Sequence, residues 1–169
     1  NLTVGANFRL GRADSINNVS QSKILFKTGT HSITGKITGF SGTHGWIELG
    51  SSTVNLGGDL DLRYCSLTPG TGTINLTGTG TSALYAILDY TYKDATLDNP
   101  VLNKVPLYKL TSTTAGKTVS FEAGKTVTIA NNLTLAGTGT GANLLTLNST
   151  TAGVAANLNV SGVATGMNY

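Results

Sequence analysis

The sequence predicts an all-β protein whose chain winds as a parallel β-solenoid, of the right-handed β-helix type. Short segments alternate apolar and polar residues, and turns rich in Gly, Asn, Ser and Thr separate them. Charged residues make up only 11% of the 169 residues. Such short strands suit coils in which each strand pairs with its equivalent in the coils above and below. The alternative fold is an antiparallel β-sandwich, whose strands usually run to about five or six residues.

The composition excludes several other classes of protein. Glu, Lys, Arg and Ala are too few for a helical bundle. No run of about 18 apolar residues is present, so the sequence predicts no membrane span. The net charge of +3 comes from scattered residues without a basic cluster, which argues against nucleic-acid binding. A single cysteine, Cys65, cannot form an intrachain disulfide.

The predicted strands carry apolar–polar–apolar triplets, so two side chains of each point inward and one outward. These triplets are Ile47-Glu-Leu49, Val54-Asn-Leu56, Leu60-Asp-Leu62, Ile74-Asn-Leu76, Val119-Ser-Phe121, Val127-Thr-Ile129, Leu133-Thr-Leu135, Leu145-Thr-Leu147 and Leu158-Asn-Val160. The N-terminal third is looser in pattern but still strand-rich. We therefore expect one solenoid domain over residues 1–169.

A longer repeat runs through this pattern. Val54, Leu56 and Leu60 recur 73 residues later as apolar residues, and Leu62 recurs as Leu135. Residues 46–76 and 118–149 are therefore interpreted as two copies of one unit, and the 73-residue repeat distance corresponds to about three coils of ~25 residues.

Between the copies, at about residues 84–109, the pattern breaks. Two of the three prolines and several charges fall in this segment. Because proline cannot sit inside a paired central strand, we expect an irregular loop excursion here. Four tyrosines lie in or beside it and form the candidate contact surface for a glycan or protein partner: Tyr85, Tyr90, Tyr92 and Tyr108. The competing interpretation is that they pack the excursion onto the solenoid.

The second half of the chain resembles a known type of repeat. The segments TVSF (118–121), GKTVTI (124–129), NLTL (132–135) and LNVSG (158–162) look like repeats of large bacterial secreted surface proteins. Those repeats resemble adhesin and autotransporter passengers, whose chains wind into right-handed parallel β-helices. The resemblance implies an architecture and a secreted or cell-surface location, but no catalytic residues.

Other polar residues are candidates for a metal or catalytic site. Asp59 and Asp61 should share an outward face, with Glu48 one coil away, but these are too few oxygens for a calcium ion. Arg63 or Lys36 is expected to balance the two aspartates. His31 and His44 lie in Thr/Gly-rich turns without a partner at motif spacing, so both are expected at the surface. The sequence predicts no catalytic site, metal or cofactor.

These observations predict a non-catalytic structural or adhesive element of a bacterial cell-surface or extracellular fibre. The alternative is a carbohydrate-binding or polysaccharide-processing β-helix, since one fold hosts many functions. Neither end of the sequence carries a proline or a charge cluster that would protect an edge strand. We therefore expect end-to-end contacts, with copies of the same chain or with further coils of a longer chain, and surface glycans as a further possible partner.

Overall fold

The computed structural model describes residues 1–10, 22–39, 45–63, 65–85, 107–137 and 141–166. Short β-strands account for nearly all of the regular structure in these ranges, with one 3-10 turn at Gly141–Asn143. The strands are β1 (Thr3–Val4), β2 (Phe8–Leu10), β3 (Ser22–Leu25), β4 (Thr30–Ile33), β5 (Ile37–Gly39), β6 (Gly45–Glu48), β7 (Thr53–Leu56), β8 (Leu60–Asp61), β9 (Cys65–Thr68), β10 (Thr73–Leu76), β11 (Thr81–Tyr85), β12 (Lys109–Ser112), β13 (Thr118–Phe121), β14 (Thr126–Ile129), β15 (Leu133–Leu135), β16 (Thr146–Ser149), β17 (Asn157–Val160) and β18 (Ala164–Thr165).

The strands form a parallel β-solenoid, as predicted, and this solenoid has three sides. Face A is the seven-stranded sheet β1-β4-β7-β10-β12-β15-β18, and face B contains β2-β5-β8-β11-β13-β16 in spatial order. Face C consists of β3-β6-β9 and β14-β17, which occupy the third place in each coil. Every strand pair in the described residues is parallel, which excludes the antiparallel sandwich.

The coils differ in length although their strands stay aligned. One coil takes 20 residues, from Asn55 to its register partner Asn75. The next takes 36, from Asn75 to Thr111, and includes residues 86–106, which lie outside the described ranges. Insertions between the sides therefore leave the ladder intact.

The interior is a column of apolar side chains from all three faces. Seven of the predicted triplets place both apolar residues in it, from Ile47 and Leu49 through to Leu133 and Leu135. Each buried aliphatic side chain contributes about 1.5–3 kcal/mol. The alternation prediction is confirmed for these strands.

The last coil departs from this prediction. Leu147 is 43% exposed, and Leu145, Leu158 and Val160 are only partly buried. Their side chains follow the predicted alternation, but no strand of the described residues pairs over β16 or β17 to cover them. Leu144, Val154 and Val163 are exposed beside them.

Coils approach each other closely at the corner between faces A and B. A Cβ atom on Gly57 would lie 2.0 Å from the carbonyl oxygen of Thr34, and one on Gly78 would lie 1.8 Å from that of Gly57. Glycine is therefore required at both positions by the spacing of the coils.

The internal repeat and the ends of the predicted excursion can be located on the solenoid. The two copies of the 73-residue repeat are not equivalent coils, because Val54 lies on face A and Val127 on face C. An apolar–polar–apolar triplet fits any side that faces the common interior. Most of the predicted excursion at about 84–109 lies outside the described residues. At its ends, Leu84 is buried in β11, and Leu107 is buried and bridged to Ile129.

Candidate functional site

The outward positions of face B bring several charged and aromatic side chains into one column. Register pairing aligns Arg9, Thr38, Asp61 and Tyr85, and Glu122 follows one strand further, where its N–H donates to the carbonyl of Leu84. Face A has a different character. Its outward positions carry Thr, Ser and Asn, with Lys109 as the charged exception among the described strands. Face B is therefore the candidate site for a polar ligand.

Asp61, Arg63 and Tyr85 form the centre of this column. The Arg63 guanidinium donates to both carboxylate oxygens of Asp61, at 2.9 Å from Nε and 2.6 Å from Nη2. Its central carbon lies 4.2 Å from the centroid of the Tyr85 ring. The hydrogen bond to Asp61 raises the pKa of Arg63 further above its already high value. The guanidinium is therefore held as a cation between a carboxylate and an aromatic face.

The predicted pair of carboxylates does not converge on one point. The Asp59 carboxylate accepts a hydrogen bond from the N–H of Ala83 in the next coil, at 2.8 Å. Asp61 is paired with Arg63, which confirms one of the two expected partners. Glu48 lies on face C, where it pairs with Lys23. Within the described ranges, no three metal-ligating side chains cluster.

Lys117 is a buried polar residue that the sequence analysis missed. Its side chain is fully buried, and Nζ donates to the carbonyl of Gly78 at 2.7 Å and to Ser82 Oγ at 2.8 Å. Desolvation lowers the pKa of the Lys117 ammonium, and the nearby charge of Asp59 partly opposes this effect. Lys117 belongs to the tetrapeptide GKTV (116–119), which recurs at 124–127. Lys125 of the second copy is only half-buried, so the local sequence does not distinguish the buried lysine from the other one.

His31 is buried, contrary to the expected surface position. It points inward from β4 because it occupies the register position opposite the core residue Val54. Nδ1 accepts from the N–H of Leu2, and Nε2 is 3.1 Å from the carbonyl of Thr28. This pattern requires the neutral tautomer protonated at Nε2. His44 lies outside the described residues.

The structure does not bring the two described tyrosines together. Tyr85 lies on face B, whereas Tyr108 stands at the corner between faces C and A, where its ring is 5.6 Å from Lys109 Nζ. Tyr90 and Tyr92 lie outside the described residues. Of the predicted contact tyrosines that the structure describes, Tyr85 is the one on face B. Arg63 covers one face of its ring.

A second feature lies at the C-terminal end of the solenoid. A groove of about 360 Å³ opens there, lined by Phe121, Leu147, Asn148, Ser149, Ala155, Ala156 and Leu158. It is the open end of the apolar interior. The chain carries no Asp, Glu, Lys, Arg or His after Lys125, so the strands around this groove are uncharged.

Three chemically reactive side chains of the described residues lie in the interior. Ser82 and Lys117 are hydrogen-bonded to each other, but both are closed off from solvent. Burial raises the pKa of the Cys65 thiol to about 12, so this side chain is a poor nucleophile in the folded protein. No helix in the described part is long and apolar enough to cross a membrane. The chain matches no protein-family model, no curated protein and no solved structure, so its function is inferred from the geometry of the solenoid.

Proposed function

We propose that this chain is a structural or adhesive element of an extracellular or cell-surface fibre, built by stacking β-coils. The observation that carries the proposal is the contrast between the sides of the solenoid and its C-terminal end. Along the sides, polar groups are hydrogen-bonded to their neighbours; at the end, apolar side chains are exposed.

Pairs of side chains on neighbouring strands support the first half of this contrast. Asn75 Nδ2 donates to Asn55 Oδ1 at 2.8 Å, and the hydroxyls of Thr134 and Thr165 are 3.1 Å apart. Stacked amides and hydroxyls of this kind hold parallel strands in register. They stiffen a rod without requiring a ligand.

The C-terminal end of the solenoid, in contrast to its sides, exposes apolar side chains. Natural edge strands are usually protected by charges, proline or a covering element. The last strand of each face in the described chain has no charged residue, and Leu147 and Val163 are 43% and 59% exposed. Such an edge favours addition of further strands, as a fibre requires.

Electron microscopy and light scattering of the purified chain over a concentration series test this proposal. We expect extended particles whose length grows with concentration. The variant Leu147→Lys, which places a charge on the exposed edge, should shift the population towards monomer. Its control, Thr38→Lys, places the same charge on the side of the solenoid and should leave assembly unchanged. Monodisperse monomer for the unmodified chain at every concentration would contradict the proposal.

Glycan binding on face B is the second candidate function. It is favoured by the grouping of Asp61, Arg63 and Tyr85 on one outward surface, since an aromatic ring with charged hydrogen-bonding neighbours suits a saccharide. Binding to a glycan array should fall at least tenfold in Tyr85→Ala and be unchanged in Tyr108→Ala. Absence of glycan binding, or equal losses in both variants, would rule out this site. Polysaccharide cleavage, assayed with and without Ca²⁺, would identify the processing form of this alternative.

A further inference from the structure

The contact between the first two described coils is held in part by a histidine side chain. β1 pairs with β4 in parallel, and the N–H of Ser32 in β4 donates to the carbonyl of Leu2 at 2.9 Å. The N–H of Leu2 donates in turn to Nδ1 of His31 at 3.1 Å, where a strand ladder ordinarily uses a backbone carbonyl. A titratable ring therefore replaces a backbone acceptor in this contact, which we call the β1–β4 joint.

The hydrogen bonds of His31 fit its neutral ring and conflict with its charged form. Nδ1 faces a donor, the N–H of Leu2, and Nε2 lies 3.1 Å from an acceptor, the carbonyl of Thr28. An imidazolium carries a proton on both nitrogens, so one of its N–H groups would point at the N–H of Leu2. Turning the ring over does not relieve this conflict, because the other nitrogen then brings its own proton to the same place.

The position of the ring also opposes a positive charge. His31 is 7% exposed, and its ring centroid lies 4.8 Å from that of Phe26. Its register partner in β7 is the buried residue Val54. A charge taken up here would lose most of its hydration, and these two apolar neighbours offer no polar contact in exchange.

The charged groups around His31 are cations. The described segments packed against it are residues 1–4, 26–34 and 53–56, and these segments contain no carboxylate side chain. Lys27 is exposed in the turn before β4. In the 169-residue chain the α-amino group belongs to Asn1, which lies beside Gly29 at the same corner. Both cations would repel an imidazolium, so these segments favour the neutral ring.

We propose that His31 makes the β1–β4 joint sensitive to pH. The neutral ring closes the joint by accepting the N–H of Leu2, and uptake of one proton replaces this bond with two opposed N–H groups. Histidine side chains change charge between about pH 5 and pH 8, so the joint weakens as the pH falls through this interval. The inference concerns one contact between coils and goes beyond the proposed fibre function, on which it does not rest.

The opening should stay within this joint. β1 has two residues, whereas β4 and β7 align over four register pairs. The ring nitrogens of His31 bond to Leu2 and Thr28 rather than to β7. Proton uptake therefore weakens the shorter pairing and leaves the longer one in place, as a local opening rather than global unfolding.

Amide hydrogen exchange measured by NMR distinguishes the two pairings. The N–H groups of Ser32, Thr34 and Gly35 donate to carbonyls of the first described coil and report on the β1–β4 joint. Those of Gly57 and Gly58 donate to carbonyls of the second coil and serve as the internal reference. Conversion of the rates to protection factors removes the intrinsic effect of pH on exchange.

Two histidine variants and one blocked chain identify the group responsible. His31→Gln is the matched variant, because an amide supplies one acceptor and a donor but does not titrate near neutral pH. His44→Gln removes the other histidine of the chain. Acetylation of the α-amino group removes the charge at Asn1.

Between about pH 7.5 and about pH 5 we expect the protection of the three reporter amides to fall at least tenfold, while the reference amides change less than twofold. The fall should persist in His44→Gln and in the acetylated chain, should be absent from His31→Gln, and should follow the ¹⁵N signals of the His31 ring as it takes up its proton. Equal protection at both pH values would overturn the proposal. A parallel fall at the reference amides, or a fall that persists in His31→Gln, would overturn it as well.

Discussion

Replacing Gly78 by alanine should destabilise the protein through one contact between coils. The new Cβ would lie 1.8 Å from the carbonyl oxygen of Gly57, whereas ordinary contacts begin at 3.4 Å. Relief requires local separation of the coils by about 1.6 Å, a third of their usual ~4.8 Å spacing. The bond from the N–H of Thr77 to the carbonyl of Leu56, now 2.9 Å, would then exceed hydrogen-bonding distance.

The loss of stability in Gly78→Ala has two contributions, the steric overlap and the lost hydrogen bond. Overpacking in a tight site costs about 1–3 kcal/mol, and each lost hydrogen bond costs about 0.5–1.5 kcal/mol net. We therefore expect a loss of about 2–4 kcal/mol, which lowers the thermal midpoint of a chain of this size by about 4–16 °C. Gly78 does not have a positive φ, so backbone strain does not contribute.

Thermal and urea unfolding followed by circular dichroism measure this difference. The control is Gly5→Ala, because a Cβ at Gly5 meets nothing within 4 Å and the residue is exposed. It should stay within about 0.5 kcal/mol of the unmodified protein, as surface substitutions usually do. Equal midpoints for the two alanine variants would show that the coils are not packed as closely at this corner as described.

Three further outcomes are expected. Leu133→Asp should prevent folding, because it places an unpaired charge in the fully buried column. Thr134→Asp, one residue away and outward, should lower the free energy of unfolding by about 1 kcal/mol or less. Equal loss of folded protein in the two variants, measured by circular dichroism and solubility, would contradict the predicted alternation. Urea unfolding over a pH series tests Lys117. Burial holds its folded-state pKa below the usual lysine value of 10.5, so the unfolded chain binds the proton more strongly between the two values, and stability should rise with pH over that interval. Lys117→Met should remove this rise, and an unchanged slope would show that another group causes it. Cys65, with a pKa of about 12, should react with a thiol reagent at pH ~8 only as fast as the protein unfolds, and rapid labelling of the native chain would refute its burial.

The sequence predicted the inward side of each strand because that property is local. An apolar residue on either side of Asn55 or Asn75 identifies the buried positions without knowledge of the partner strand. Strand length is also a local property, and it predicted the class of fold. Strands of four residues between turns are shorter than those of an antiparallel β-sandwich.

What the sequence could not predict depends on register between coils. The residues around His31 predict a turn. His31 is buried only because its strand aligns it with Val54 one coil away. Lys117 finds its partners in Gly78 and Ser82, on the far side of the longest coil. Asp61 and Tyr85 become neighbours only when β8 and β11 pair. The candidate site on face B is thus a product of non-local alignment.

The longest coil shows how this protein can acquire new surface features. β10 pairs with β12, and β11 pairs with β13, although residues 86–106 separate Tyr85 from Leu107 along the chain. Because the loop-closure cost grows only logarithmically, doubling an inserted segment costs about 0.6 kcal/mol. The corner between faces B and C is therefore a place where lineages, or protein engineers, can graft peptides of different length while the scaffold keeps its strand pairs.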